Sequence, residues 1–430
     1  MESLPEIEMN DNAYRPVGSS LAFVVGFVLS FRIVIPIFSV RVLGTDPQTG
    51  SEVKLALNVL LLGLVWMAWL DTANRDLGSV LRFPNIRWAL IFLAFSGCSL
   101  LWSETASPLA SAAYWCGTAS DVAIVVLLLL RGSVAGVAGS LMKGFVWSTC
   151  LVAAIAWLMP AQYDLRLGDE DFLNANTIAN LCAFAIFFTQ YLTHRKEGKW
   201  WFATAFLAVT LLRSLSKSTI AAFALSETFL VIQDKQMSRR AKIVLTTTVI
   251  LVVLVFWGLF EAYYDFYTTY GNQAETLTGR TAIWAYVLDA GLQRPWIGHG
   301  FDSMWRVVPT FGTFEARHAE NEVLEQFYSY GVAGIVILCS VYGSLYRRIR
   351  RLAQGSLKVI LASMVLYVVV RGIAEAEPFD LLFPLWAVVL IGIVVECVNP
   401  IGQGIAVVSS SGTPLQPAPT VSSQATATPS

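Results

Sequence analysis

Charge is scarce in this sequence. Only 14% of its 430 residues are Asp, Glu, Lys or Arg, whereas 56% are hydrophobic, and the mean hydropathy is +0.61. A soluble globular domain carries about a quarter charged residues, so the composition argues against a soluble fold. The formal net charge of −1 provides no broad positive field, and we therefore expect no nucleic-acid partner.

Histidine is rare as well, and the cysteines show no paired spacing. The three histidines, His194, His299 and His318, never stand at the i, i+4 spacing of a helical zinc motif. The six cysteines lie mostly inside apolar runs, where a thiol behaves as a small hydrophobic group. No Gly-x-Ser-x-Gly segment is present for a serine hydrolase. We expect no metal site, no disulfide and no cofactor.

Long apolar segments take the place of these features. A helix needs about 20 such residues to cross the hydrocarbon core of a bilayer, and the segments are continuous rather than alternating, which argues against transmembrane strands. We predict an all-α polytopic membrane protein. Its 12 predicted transmembrane helices lie near residues 19–38, 54–71, 88–102, 112–130, 141–160, 175–193, 199–214, 218–233, 242–260, 322–345, 357–373 and 379–398.

Basic residues orient these helices, because Lys and Arg are enriched in cytoplasmic loops. Alternate loops carry them here, for example around Arg75, Arg131, Arg195, Arg239 and Arg347. Both termini are then cytoplasmic, and the long loop between helices 9 and 10, residues 261–321, faces outward. The predicted organisation is a cytoplasmic segment 1–18, a transmembrane catalytic domain 19–398, and a disordered cytoplasmic tail 399–430 rich in Ser, Thr, Pro and Ala.

The polar chemistry concentrates in residues 277–334. A guanidinium such as that of Arg280 matches phosphate oxygens, although an arginine beside Trp284 at a membrane surface can equally contact lipid headgroups. Arg213 and Lys217 occupy a short turn between the seventh and eighth predicted helices, where they can bind an anionic substrate or snorkel to headgroups. Trp284 is also a candidate platform for a sugar ring, and Arg294 a further substrate-binding candidate.

A candidate proton acceptor precedes the tenth predicted helix. His318 or Glu320 can act as a general base if its pKa is suitable, and Asn321 follows them directly. The alternative is a solvated helix start, in which Glu320 and Glu322 are favoured by the helix dipole alone.

Two further groups of charged residues stand inside or beside the predicted spans. Arg32, Asp121 and Glu227 lie within apolar segments, which keeps an ion or proton pathway, and hence a transporter, open as an alternative. Arg371, Glu375 and Glu377 cluster at the outer end of the eleventh span and could join the outer site.

The motifs of residues 277–334 resemble those of the O-antigen ligase and Wzy polymerase superfamily, especially its exopolysaccharide-polymerase branch. The matching motifs are Gly279-Arg280-Thr281 with Trp284, Arg294-Pro295 with Gly298, Gly300 and Phe301, and Asn321 followed by Gly331 and Gly334. Three weaker similarities extend across the chain, at Leu101-Trp102-Ser103, Leu173-Asn174-Ala175-Asn176 and Ser216-Lys217-Ser218.

The resemblance assigns roles to individual residues. Arg280 corresponds to the family's loop arginine, and Lys217 stands where ligases usually carry a second arginine. Ligases have a His immediately before the Asn, whereas this chain has Glu320 there. His318 matches the first His of the His-x-His-Asn form seen in some members, so either Glu320 or His318 is expected to be the base.

The function that the resemblance implies is a metal-independent, inverting glycosyl transfer at the periplasmic face of a bacterial inner membrane. The donor is expected to be an oligosaccharide on undecaprenyl diphosphate, with a flippase and chain-length or export proteins as further partners. We favour an exopolysaccharide or O-antigen-type polymerase. A ligase that transfers the glycan to lipid A core is the first alternative, and a solute or anion transporter is the alternative from another class.

Overall fold

The computed structural model describes residues 17–71, 83–131, 133–160, 164–169, 172–235, 277–311 and 315–398, with isolated positions between some of these ranges. Its helices, numbered here in chain order and leaving aside short turns at 32–42, are α1 Val17–Phe31, α2 Pro47–Leu70, α3 Pro84–Ser99, α4 Pro108–Leu129, α5 Val134–Leu158, α6 Ala175–His194, α7 Trp201–Arg213, α8 Lys217–Gln233, α9 Leu277–Gln293, α10 Glu322–Arg351, α11 Ser356–Arg371 and α12 Leu385–Val398.

The predicted all-α membrane class is confirmed. Among the described residues, five helical segments are long and apolar enough to cross a membrane, and α7 and α12 are shorter apolar helices. Helices α1 to α8 and α10 to α12 coincide with predicted spans. The predicted span 242–260 lies largely outside the described residues, as do most of segment 1–18 and the tail 399–430, so the count of 12 transmembrane helices stays a prediction.

The fold departs from the sequence analysis at α9, which lies inside the segment interpreted as a loop. Its apolar residues Ile283, Val287 and Ala290 recur at helical spacing. All three are buried, and they form a small second core with Tyr328 of α10. Helix α9 therefore packs on α10 through its own apolar face.

The main core is built around α12 and around a close contact between α1 and α5. Every residue from Leu385 to Val395 is buried, because α12 packs against α3, α4, α5 and α10. Gly26 of α1 and Gly144 of α5 let the two backbones touch: a Cβ at Gly144 would lie 1.9 Å from the carbonyl oxygen of Phe23. Small residues at such crossings are the usual means of packing helices in membranes.

The charges predicted inside spans are paired within the described part of the bundle. Arg32 donates to Asp121 (Nη1–Oδ1 2.7 Å) and to Asn58 (Nη1–Oδ1 3.1 Å). Gln190 of α6 donates to both carboxylate oxygens of Glu227, at 2.9 and 3.0 Å. These pairings give each charge a structural partner between helices, which is how ionisable residues are tolerated at such depth.

Helix α10 is broken at Gly331, where φ is 63° and ψ is −156°. The break exposes backbone groups that residues 295–300 satisfy. The N–H groups of Val332 and Ala333 donate to the carbonyls of Pro295 (2.7 Å) and Trp296 (3.2 Å), while the N–H of His299 donates to the carbonyl of Tyr328 (2.9 Å). The glycine-containing motifs around 298 and 331 thus form one structural unit.

Replacing Gly331 by Ala should destabilise the protein. Its backbone conformation is accessible essentially to glycine alone, at a cost of about 1–3 kcal/mol for other residues, and an added Cβ would lie 2.5 Å from the Pro295 carbonyl oxygen. We expect a lower melting temperature of the detergent-solubilised protein for Gly331→Ala. Gly63→Ala is the control, because nothing lies within 4 Å of its added Cβ in α2. Equal melting of the Gly331→Ala variant and the wild type would contradict this account.

Candidate functional site

A polar cluster lies where four segments meet: the start of α8, the first turn of α9, residues 318–321 before α10, and residues 371–377 at the end of α11. Arg280, His318, Glu320, Arg371 and Glu375 form this cluster. Three of the residues predicted as catalytic, Arg280, His318 and Glu320, are therefore brought together. Their side chains are each roughly a fifth exposed, whereas Glu375 is buried.

Arg280 makes the central ion pairs. Its Nη2 lies 3.1 Å from Oε2 of Glu320 and 3.6 Å from Oε1 of Glu375. Helix α9 holds Arg280 in this place, since the indole N–H of Trp284, one turn further on, donates to the carbonyl of Ala319 (2.9 Å). The structure thus gives Trp284 a positioning contact to the segment that carries Glu320.

The segment before α10 is held in a strained turn. Glu320 has a φ of 52°, in the left-handed region that non-glycine residues rarely adopt. The N–H of Ala319 donates to Oε2 of the buried Glu325 (2.7 Å). Asn321 caps α10 by accepting from the N–H of Leu324 (3.0 Å), and its own amide donates to the carbonyl of Ile373 (2.9 Å). Asn321 therefore ties the turn to the loop that carries Glu375.

Glu375 is oriented by neutral donors from two other helices. Its Oε1 accepts from Ser218 Oγ of α8 (2.8 Å) and from Asn176 Nδ2 of α6 (3.0 Å). The amide oxygen of Asn176 in turn accepts from Ser216 Oγ (2.7 Å). These bonds explain why the Asn-rich start of α6 and the Ser-Lys-Ser turn matter: both support the same buried carboxylate.

Lys217 and Arg213, the two residues predicted to bind an anionic substrate, differ in their surroundings. Lys217 is the exposed first residue of α8, between Ser216 and Ser218, so its turn borders the cluster. Arg213, at the end of α7, donates from Nη1 to the carbonyl of Leu165 (2.9 Å), which ties it to the loop before α6.

Arg294 lies in a different ion pair, with Glu104 in the connection between α3 and α4. Glu104 also contacts Nδ1 of His299 (2.7 Å), and the same connection approaches the glycine motif because Ser103 Oγ donates to the carbonyl of Phe301. Arg294 thus anchors α9 to the α3–α4 connection.

Electrostatics in the cluster raise the pKa of His318. Burial lowers its pKa, but the carboxylates of Glu320, Glu375, Glu325 and Glu377 raise it by more, so the pKa lies above the ordinary value of 6.5. The neutral ring accepts the Glu320 N–H at Nδ1 (3.2 Å), whereas a protonated ring must donate there, and Oε1 of Glu320 lies 3.8 Å away. Protonation therefore exchanges one contact with Glu320 for another.

The comparison with known families matches residues 202–339 to the family model described as O-antigen ligase. This segment of the chain is therefore similar to the O-antigen ligase family. This finding confirms the resemblance to the O-antigen ligase and Wzy superfamily that the motifs predicted. A search of curated proteins gives no match to the chain.

The matched segment, residues 202–339, runs from α7 into α10 and includes Arg280, His318 and Glu320. The buried carboxylate of Glu375 and its donor Asn176 come from outside it. Among the residues that the structure describes, no group of three or more His, Cys, Asp or Glu side chains is arranged to hold a metal ion.

Sequence reasoning missed some of the residues that support this site. Glu104 had no motif of its own, and only the fold shows that it pairs with both Arg294 and His299. Asn176 stood in a recognised motif, but its contact with Glu375 joins residues 199 positions apart. A spacing within one segment cannot reveal such a contact.

The raised pKa of His318 predicts a pH-dependent contribution to stability. Protonation of His318 is favoured in the folded state, so this stability is fully present below about pH 6.5 and is lost as pH rises through the higher folded-state pKa. The melting temperature of the wild type should fall over that interval, and His318→Gln should remove this part of the fall. The control His194→Gln, at the exposed end of α6, should keep the wild-type profile. Superimposable profiles for His318→Gln and wild type would contradict the assignment.

Proposed function

We propose that this protein is a polysaccharide polymerase that joins lipid-diphosphate-linked repeat units by inverting, metal-independent glycosyl transfer. The observation that carries the proposal is the ion pair between Arg280 and Glu320 (3.1 Å), next to the buried Glu375, in a domain of the O-antigen ligase family. It unites a fixed cation and a proton acceptor, the two groups that a glycosyl transfer from a diphosphate requires.

The reaction requires one bond to form as another breaks. The oxygen of an acceptor hydroxyl attacks the anomeric carbon of the donor, and the bond from that carbon to the diphosphate oxygen breaks with its electron pair. Negative charge then concentrates on the departing diphosphate, where a positioned guanidinium stabilises it. The hydroxyl proton passes to a carboxylate on the opposite side of the anomeric carbon.

Substrate binding would exchange the Glu320 carboxylate on Arg280 for the substrate's phosphate. A phosphate oxygen can replace the Glu320 carboxylate on its guanidinium, because both anions fit the same donors. Glu375 remains in place through Ser218 and Asn176, so it keeps Arg280 oriented. The exchange releases the Glu320 carboxylate to accept a proton. Lys217, at the exposed start of α8, supplies a second positive charge for the diphosphate.

Glu320 fits the role of the base better than His318. A neutral His318 whose Nδ1 accepts the Glu320 N–H carries its proton on Nε2, so neither ring nitrogen is available to the acceptor hydroxyl. A protonated ring has no acceptor at all. We therefore assign proton abstraction to Glu320 and the positioning of Glu320 to His318.

Glu320 also favours a polymerase over a ligase, because ligases of the family carry His at that place. Within this proposal both termini are cytoplasmic, the site faces the periplasm of a bacterial inner membrane, and the donor is an oligosaccharide on undecaprenyl diphosphate. A flippase would deliver that donor, and chain-length or export proteins would act on the product. Arg32 is paired with Asp121, and Glu227 accepts hydrogen bonds from the amide of Gln190, so these two residues lend no support to the transporter alternative.

Arg280→Ala should abolish polymer formation. Loss of one preorganised donor to a developing oxyanion costs on the order of 10²- to 10³-fold in rate. The measurement is the glycan profile of a deletion strain complemented with each variant, with membrane levels checked by immunoblot. Arg306→Ala is the matched control, since this exposed arginine of residues 277–334 packs on Trp305 and acts on Asp302 rather than on Glu320 or Glu375.

The profile also separates the candidate functions. Lipid-linked single repeats that accumulate without long polymer support a polymerase. Free polymer that is merely not attached to lipid A core shows a ligase, and an unchanged profile in the deletion strain rules out both. Wild-type polymer from Arg280→Ala would remove Arg280 from the mechanism.

Glu320→Gln and His318→Gln should differ in size of effect. Removing a general base lowers the turnover rate by about 10²- to 10⁴-fold, so Glu320→Gln should lose turnover to that extent. His318→Gln should retain more turnover, because it only disturbs the position of Glu320. Turnover of purified protein on a lipid-linked repeat, measured against pH, is the readout. If Glu320→Gln kept its turnover while His318→Gln lost it, the roles of base and positioning residue would be reversed.

A further inference from the structure

A lateral cavity of about 700 Å³ lies between α1, α5 and α7, and the proposed reaction does not use it. Phe23 of α1, Cys150 of α5 and Phe206 of α7 are apolar lining residues of this cavity, and Lys143 and Lys199 are its basic lining residues. Its volume falls within the range of small-molecule sites, about 300–1,000 Å³.

The lining changes from polar to apolar along the cavity. In α5, Lys143 is followed seven residues later by Cys150, which is about 10 Å along a helix. In α7 the order is the same, from Lys199 just before the helix to Phe206 inside it. Because α5 and α7 both continue from their charged ends toward their apolar ends, the cavity has one charged end and one apolar end.

The charged end carries an excess of positive charge and interfacial aromatic rings. Lys143 pairs with Glu197 (Nζ–Oε2 2.8 Å), and Arg195 also reaches Glu197 (Nε–Oε1 3.4 Å), while Lys199 adds a further cation. Trp147 and Trp200 meet edge to face beside these residues, with ring centroids 6.3 Å apart. Tryptophan is enriched at the headgroup level of membranes, and cations there attract anionic lipids.

We propose that this cavity binds an anionic phospholipid. Its phosphate would lie between Lys143 and Lys199, and one acyl chain would extend along α5 and α7 to Cys150 and Phe206. The basic loop that contains Lys199 is predicted to be cytoplasmic, so the lipid would come from the cytoplasmic leaflet. The site stands apart from Arg280 and Glu320, and it does not depend on the proposed glycosyl transfer.

Native mass spectrometry of the purified full-length protein tests this proposal, with phosphatidylglycerol and phosphatidylcholine of equal chain length as probes. Wild type should retain phosphatidylglycerol in preference. Lys199→Gln should weaken that retention about fivefold, the equivalent of one cation near a lipid surface. Phe206→Trp should abolish it by filling the apolar end. Lys196→Gln is the matched control, because Lys196 is an exposed cation of the same loop that does not line the cavity.

Each outcome decides the matter. Equal retention of the two lipids, or wild-type retention in Lys199→Gln, would overturn the proposal. Loss in Lys199→Gln but not in Phe206→Trp would mean surface attraction without an occupied cavity, and would overturn it as well. If Phe206→Trp fails to fold, the smaller filling substitution Ala203→Leu, at another lining residue, takes its place with the same expectation.

Discussion

A helix can break inside a membrane protein only if other groups take up the backbone hydrogen bonds that it gives up. In this chain the break is at Gly331, and residues 295–300 supply the partners. That docking fixes the end of α9, and α9 in turn carries Arg280 at its start. The position of the central cation therefore rests on a backbone requirement some fifty residues away in sequence.

The same arrangement explains why the charged cluster can exist next to buried helices. A buried carboxylate without partners is costly, yet Glu375 is met by Ser218, Asn176 and two arginines, Arg280 and Arg371. Its orientation is thus set before any substrate binds. A cation held by one fixed and one partly exposed carboxylate is suited to an anionic substrate, which can displace the exposed one.

The sequence allowed the class of fold, most helix positions and the central residues to be predicted. Continuous apolar runs of sufficient length predicted the helices. The polar residues between them, together with the family resemblance, singled out Arg280, His318 and Glu320, which the fold brings into one cluster. Helix α9 was not predicted, although Ile283, Val287 and Ala290 recur at helical spacing, because the segment is polar overall and reads as loop by composition.

The supporting contacts were beyond prediction for a different reason. Glu104 with Arg294 and Asn176 with Glu375 each join segments that are distant in sequence. Such pairs depend on how helices pack, and helix packing is set by surfaces that a linear motif does not record. The motifs nevertheless lie together in the fold. The Leu-Trp-Ser segment contacts the glycine motif around residue 298 through the hydrogen bond from Ser103 to the carbonyl of Phe301.

The most direct measurement is a cryo-electron microscopy structure of the protein in a lipid nanodisc with undecaprenyl diphosphate bound. The account predicts density for the diphosphate within about 4 Å of the Arg280 guanidinium, the usual reach of an ion pair, with Glu320 moved away and Glu375 unchanged. A diphosphate bound elsewhere, with the ion pair between Arg280 and Glu320 intact, would contradict it.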